Sequence, residues 1–98
     1  MTAYIVFIRE SPVTDSDAMD AYRAAGPGVA ASGDWKLTPL AAYGPMETLE
    51  GEAADGVVLL EFPTMADARA WYDSPAYAEA RAHRLKAAPY RAYLFEGR

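Results

Sequence analysis

An α+β fold is predicted for this chain of 98 residues by three observations. Four short stretches rich in β-branched and aromatic residues stand at 3–9, 35–43, 57–62 and 90–96, the composition of strands. Helix signals fill the intervals after the first and after the third. Between the second and third lies only GPMETLEGEAADG, a segment of turn and acidic residues. The order is therefore β-α-β-β-α-β, the ferredoxin-like plait. Right-handed crossovers put both helices on one face of a four-stranded antiparallel sheet.

Each element has its own signals. AYIVFIR runs into the turn Glu10-Ser11-Pro12. Thr14-Asp15-Ser16-Asp17 opens the first helix, with Thr14 as the expected cap and the acids suited to the positive end of the helix dipole. Ala18, Tyr22 and Ala25 share a face, and Gly26-Pro27-Gly28 is expected to break or kink the pattern before Ser32-Gly33 stops it. In the second strand, WKLTPLAAY, Pro39 cannot donate to a ladder, which predicts an edge position or a bulge. VVLLEF, 57–62, pairs antiparallel with it. Thr64 and Asp67 then form a capping-box variant for a short helix over Met65 to Tyr72, whose inner face carries Ala68, Trp71 and Tyr72. Ser74-Pro75 restarts the helix, since Ser is a favoured cap and Pro a favoured first residue. Tyr77, Arg81, Arg84, Leu85 and Ala88 are expected on one stripe, and Pro89 ends it before the last strand, YRAYLFE.

Both faces of the sheet are apolar. Ala3, Ile5 and Phe7 oppose Tyr4, Val6 and Ile8, and Val57 and Leu59 oppose Val58, Leu60 and Phe62. Helices can cover one face only, and a soluble monomer rarely exposes so large an apolar patch. A second copy packed face to face about a two-fold axis is the simplest cover, which predicts a homodimer in the form of a dimeric α+β barrel.

Size and composition bound the rest. The length makes one domain over 1–98. The absence of cysteine excludes thiol chemistry, disulfides and thiolate metal sites. The net charge of −5 and the lack of a basic stripe point away from nucleic acid. No apolar run is long enough to span a membrane and MTAYIVFIRE does not read as a leader, so a cytoplasmic protein is expected.

For chemistry, the aromatic mass of Trp71, Tyr72 and Tyr77 is mainly core, while Ser74 is a cap without an adjacent base. Arg84 is expected half-buried, either paired with Glu61 or holding an anion at a pocket mouth. His83, the only histidine, falls with Ala76, Glu79 and Ala80. It is the natural general base if one exists, and it lacks the companions a metal site needs. Phenols at Tyr22, Tyr43 and Tyr93 could orient a carbonyl or phenolic substrate. No phosphate loop is present.

The run Val57-Val58-Leu59-Leu60-Glu61-Phe62-Pro63, then Ala68, Ala70-Trp71-Tyr72-Asp73-Ser74-Pro75, Tyr77 and Arg84, resembles the domain-of-unknown-function family thirteen-thirty. Leu49-Glu50-Gly51 and the terminal Glu96-Gly97 are similar to it as well. The resemblance implies a dimeric α+β barrel. Related barrels include cofactor-independent monooxygenases, lactone isomerases and haem-handling proteins, whereas this family has no established reaction. Where its members often carry Gly-Gly and an arginine near the second strand, this chain has Ser32-Gly33-Asp34-Trp35-Lys36-Leu37-Thr38. The expectation is a small-molecule binder or a cofactor-independent enzyme of monooxygenase or isomerase type. His83 and Glu61 would act as acid or base, Arg84, Trp71, Tyr77 and Tyr22 would bind substrate, and no metal or cofactor is needed. The alternative is a non-catalytic dimeric module with a solid interior.

Overall fold

The first strand forms over Ala3–Arg9 (β1), and the chain continues as α1 (Ser16–Ala31), β2 (Thr38–Ala42), β3 (Gly56–Phe62), α2 (Met65–Asp73), α3 (Pro75–Ala87) and β4 (Tyr90–Glu96). The computed structural model describes residues 2–31 and 36–98, with the side chains of 25–31 and 76 left aside. The expected stop at Ser32-Gly33 and the expected start of the second strand at Trp35 lie outside the described residues.

The sheet is antiparallel with strand order β2-β3-β1-β4. Pro39 satisfies both expectations made of it. It lies on an edge strand, and the register shifts between Pro39 and Ala41. Pairing fixes the two faces. Ala3, Ile5 and Phe7 stand opposite Phe62, Leu60 and Val58 and face the helices. Tyr4, Val6 and Ile8 stand opposite Glu61, Leu59 and Val57 on one side, and opposite Phe95, Tyr93 and Arg91 on the other; this face carries no helix.

The helix starts differ from expectation in one detail. Asp15, not Thr14, caps α1: its carboxylate accepts from the Ala18 N–H at 3.0 Å. Thr14 is engaged elsewhere. Its N–H and hydroxyl both donate to the Ala87 carbonyl, which also takes the Asp15 N–H. One carbonyl at the end of α3 thus receives three donors and ties the β1–α1 turn to it. Of the break or kink expected at Gly26-Pro27-Gly28, the break does not occur: α1 is continuous to Ala31. Proline's fixed φ is itself helical, so its ring removes a hydrogen bond without ending the helix. The caps read at α2 and α3 form as expected. Thr64 accepts from the Asp67 N–H at 3.0 Å and Ser74 from the Tyr77 N–H at 3.2 Å, with Pro75 opening the turn.

The core lies between the sheet and the helices. Trp71 is its centre, stacked on Tyr77 at 4.0 Å and tilted against Phe62 at 5.6 Å. The buried stripe of α3 is Tyr77, Ala80, Arg84 and Ala87. Leu85, expected on it, is 57% exposed, and Ala80, expected beside His83, takes the inner place. The alanines explain the difference: small residues let α3 lie close to α1, which rotates the bulky Leu85 outward. Among the described residues no helix is long and apolar enough to cross a membrane.

Candidate functional site

Three helices and the β2 edge of the sheet converge on a cleft of about 180 Å³. Phe7, Val58 and Leu60 form its floor, on the helix-facing side of β1 and β3. Trp71 of α2, Arg84 of α3 and Tyr22 of α1 close it from above, and Pro39, Ala42 and Tyr43 bound its side. The floor is apolar because strand alternation sends Phe7, Val58 and Leu60 to one face. The roof carries polar atoms because two short helices, joined at Ser74, present Trp71, Tyr77 and Arg84 to the same space.

Arg84 is the unusual member. Its residue is 2% exposed, and its Nε and Nη1 are buried with no hydrogen-bond partner among the described residues. The same holds for Nε1 of Trp71. The guanidinium carbon lies 4.8 Å from the ring centres of both Phe7 and Tyr90. Each such contact is worth about 2 kcal/mol or somewhat more when desolvated. Burying the charge costs several kcal/mol, and each unmet donor roughly 1–3 kcal/mol more. The two rings therefore leave Arg84 undercompensated. Its expected pairing with Glu61 is not formed. Glu61 lies on the helix-free face beside Tyr4 and Thr38, and alternation along β3 puts it on the opposite side of the sheet from Arg84.

Phenols surround the guanidinium. Tyr22 and Tyr77 share a hydroxyl–hydroxyl hydrogen bond of 3.2 Å, and Tyr43 and Tyr90 one of 2.7 Å. Burial, reinforced by the neighbouring Tyr77, pushes the Tyr22 hydroxyl far above the ordinary phenol range. Burial and the bond to Tyr90 do the same to Tyr43. Burial raises Tyr77 too, while Arg84 beside it pulls the other way. These phenols are neutral at neutral pH, and among the described residues Arg84 is the one charged side chain in the lining.

Tyr43 is held in place at some conformational cost. Its φ is +55°, a left-handed value that a bulky residue rarely adopts. Its ring lies against Gly56, where an added Cβ would come within 2.5 Å of it. Arg9 covers the ring at 4.6 Å and is anchored by Asp55 at 2.7 Å.

Of the residues singled out in the sequence, Arg84, Trp71 and Tyr22 line the cleft, and Tyr77 supports them through its stack on Trp71 and its bond to Tyr22. His83 is partly buried on α3 outside the lining, and Glu61 stands on the other sheet face. Tyr43, one of the phenols expected to orient a substrate, bounds the cleft, while its partner Tyr90 and its contact with Gly56 escaped sequence reasoning. The signals were Tyr43-Gly44-Pro45 and Asp55-Gly56, two turns that meet across strands. A groove of about 240 Å³ beside β4 is larger. Its cation, Arg69, is already bridged to Asp73 at 2.8 Å, so the groove has no comparable unmet demand. Among the described residues, no group of three or more His, Cys, Asp or Glu side chains is placed to hold a metal.

With the fold and cleft in view, the family resemblance is decided over the whole chain: the model of the domain of unknown function DUF1330 matches residues 2–98. The chain belongs to the DUF1330 family. No curated protein sequence matches it. Among solved structures, the chain is similar to a dimeric ferredoxin-like protein of unknown function from Jannaschia sp., at TM-score 0.71 and 19% identity, covering 99% of this chain and 100% of that one. A second dimeric ferredoxin-like protein of unknown function, from Thermobifida fusca, gives 0.63 and 19% over 96% and 88%. A candidate antibiotic biosynthesis monooxygenase from Nitrosomonas europaea gives 0.54 and 14% over 98% and 88%. At such identities the likeness establishes the ferredoxin-like α+β fold of this DUF1330 chain.

Proposed function

We propose that this DUF1330 chain binds one small, largely apolar molecule per subunit in the cleft roofed by Trp71, Arg84 and Tyr22. The observation that carries the reading is a cleft of about 180 Å³ whose lining holds a buried guanidinium, two of its nitrogens without a hydrogen-bond partner among the described residues. A non-catalytic module packed solid would have interior space below about 100 Å³, whereas drug-sized ligands need roughly 300 Å³ or more. The volume suits a guest between those limits.

The chain works as a homodimer in this reading. The helix-free face supports it, with Tyr93 and Phe95 both more than two-fifths exposed beside Val6, Leu59 and Tyr4. The dimeric description of the Jannaschia and Thermobifida proteins supports it as well. A cytoplasmic site of action, with neither nucleic acid nor membrane as partner, completes the proposal.

If the chain is an enzyme, the fold neighbours suggest cofactor-independent oxygen insertion or isomerisation. Arg84 would then hold a carboxylate or enolate, and neutral Tyr22 and Tyr77 would donate hydrogen bonds. His83 and Glu61 would act as acid or base only by way of a movement or from the inter-sheet space. One observation favours the non-catalytic alternative: among the described residues, the cleft lining holds no histidine and no carboxylate.

Native mass spectrometry of the purified protein tests the reading directly. The expected result is a dimer that carries, or takes up from a panel of single-ring aromatic compounds, one small molecule per subunit with quenching of Trp71 fluorescence. A monomer that binds none of the panel would overturn it.

A further inference from the structure

We infer that the guest is a monocarboxylate, or an equivalent planar oxyanion, carried on a single ring or a short hydrocarbon chain. The inference rests on the cleft-binding reading above and names its ligand class. Three unmet donors, Nε and Nη1 of Arg84 and Nε1 of Trp71, belong to two residues that line the same cleft. A carboxylate brings a guanidinium a negative charge and two strong acceptor oxygens, whereas a neutral amide brings one acceptor and no charge. Among the described residues, no carboxylate competes for it within the cleft lining. The neighbouring phenols Tyr22 and Tyr43 stay protonated and so add no negative charge to repel an anion.

Size and wall chemistry set the remainder of the molecule. An apolar cavity of roughly 150 Å³ accepts a benzene ring, so a cleft of about 180 Å³ takes a ring with one small substituent. Phe7, Val58 and Leu60 offer that ring no hydrogen bonds. A dianion or a phosphate ester would bring a second charge with no second cation in the lining to meet it.

Calorimetric titration of the full chain with benzoate and phenylacetate, set against benzamide and phenylacetamide, tests the inference. Carboxylates are expected to bind at least tenfold more tightly than the matched amides. Arg84→Met should abolish that preference, so that acids and their matched amides bind alike. Trp71→Phe should weaken carboxylates about threefold by removing one donor. Equal binding of acids and amides by the natural chain would overturn the carboxylate assignment while leaving the cleft as a binding site. Failure of both classes to bind would overturn the cleft reading itself. The comparison within the natural chain decides the matter even if a variant does not fold.

Discussion

The two faces of this sheet invert the usual expectation. The helix-covered face, which ought to be uniformly oily, buries a guanidinium and several phenols around Trp71. The bare face, which ought to be polar, presents Tyr4, Val6, Ile8, Val57, Leu59, Tyr93 and Phe95, relieved by Glu61 and Arg91. A polar group inside and an apolar layer outside are each costly in an isolated subunit. Each makes sense once something else docks: a small anion on the covered side, a second sheet on the bare one. The contrast teaches that incompleteness on a single chain can be read by sign. Unmet donors call for a ligand, unmet oil for a protein surface.

Substitutions can break this contrast, and they fall in a clear order of effect. Trp71→Ala removes the ring that touches Phe7, Phe62 and Tyr77. It should cost about 3–5 kcal/mol in urea unfolding. Leu59→Lys, at the middle of the bare face, should raise the dimer dissociation constant at least a hundredfold, about 3 kcal/mol. Sedimentation would report it while far-ultraviolet dichroism stays native. An unchanged dimer would place the interface elsewhere. Arg84→Met should act in the opposite direction to Trp71→Ala. Removing an uncompensated buried charge should leave stability unchanged or raise it by roughly 1–3 kcal/mol in the ligand-free protein. A loss of more than that would mean that the guanidinium holds the core together.

The smallest effect is alkaline. The folded phenols of Tyr22 and Tyr77 lie above the ordinary value of 10.0. The unfolded chain therefore releases protons first, and stability, full below pH about 10, should decline as pH rises beyond it toward the folded values. Tyr22→Phe should make that decline shallower in pH-dependent melting curves. A slope unchanged by this substitution would show that the covered face is wet at Tyr22.

Much of this was legible in advance, for identifiable reasons. The plait followed from the order of strands and helices, and both apolar faces from period-two alternation, which does not depend on partners. Ser74-Pro75 and Thr64 marked the helix starts because capping is local chemistry. What failed was non-local. Asp15 took the cap of α1 because Thr14 was drawn to the Ala87 carbonyl, 73 residues away. The Arg84–Glu61 pair looked natural from residue types, yet the parity of Glu61 along β3 already sent it to the wrong face. Arg84 was named from its stripe on the helix and Trp71 from the aromatic cluster, but their shared lack of partners is visible only in three dimensions. The Tyr43–Gly56 contact had turn signals and no signal that the two turns would meet.

That contact bears on redesign. Because Gly56 leaves room for nothing beyond the Tyr43 ring, the doorway cannot be narrowed from the strand side without dislodging its own door. It can, however, be widened from the other side. Tyr43→Gly would suit the left-handed backbone better than the native residue does and remove the ring in one change. Bulkier acids could then be offered to Arg84 by a protein whose sheet has not been touched.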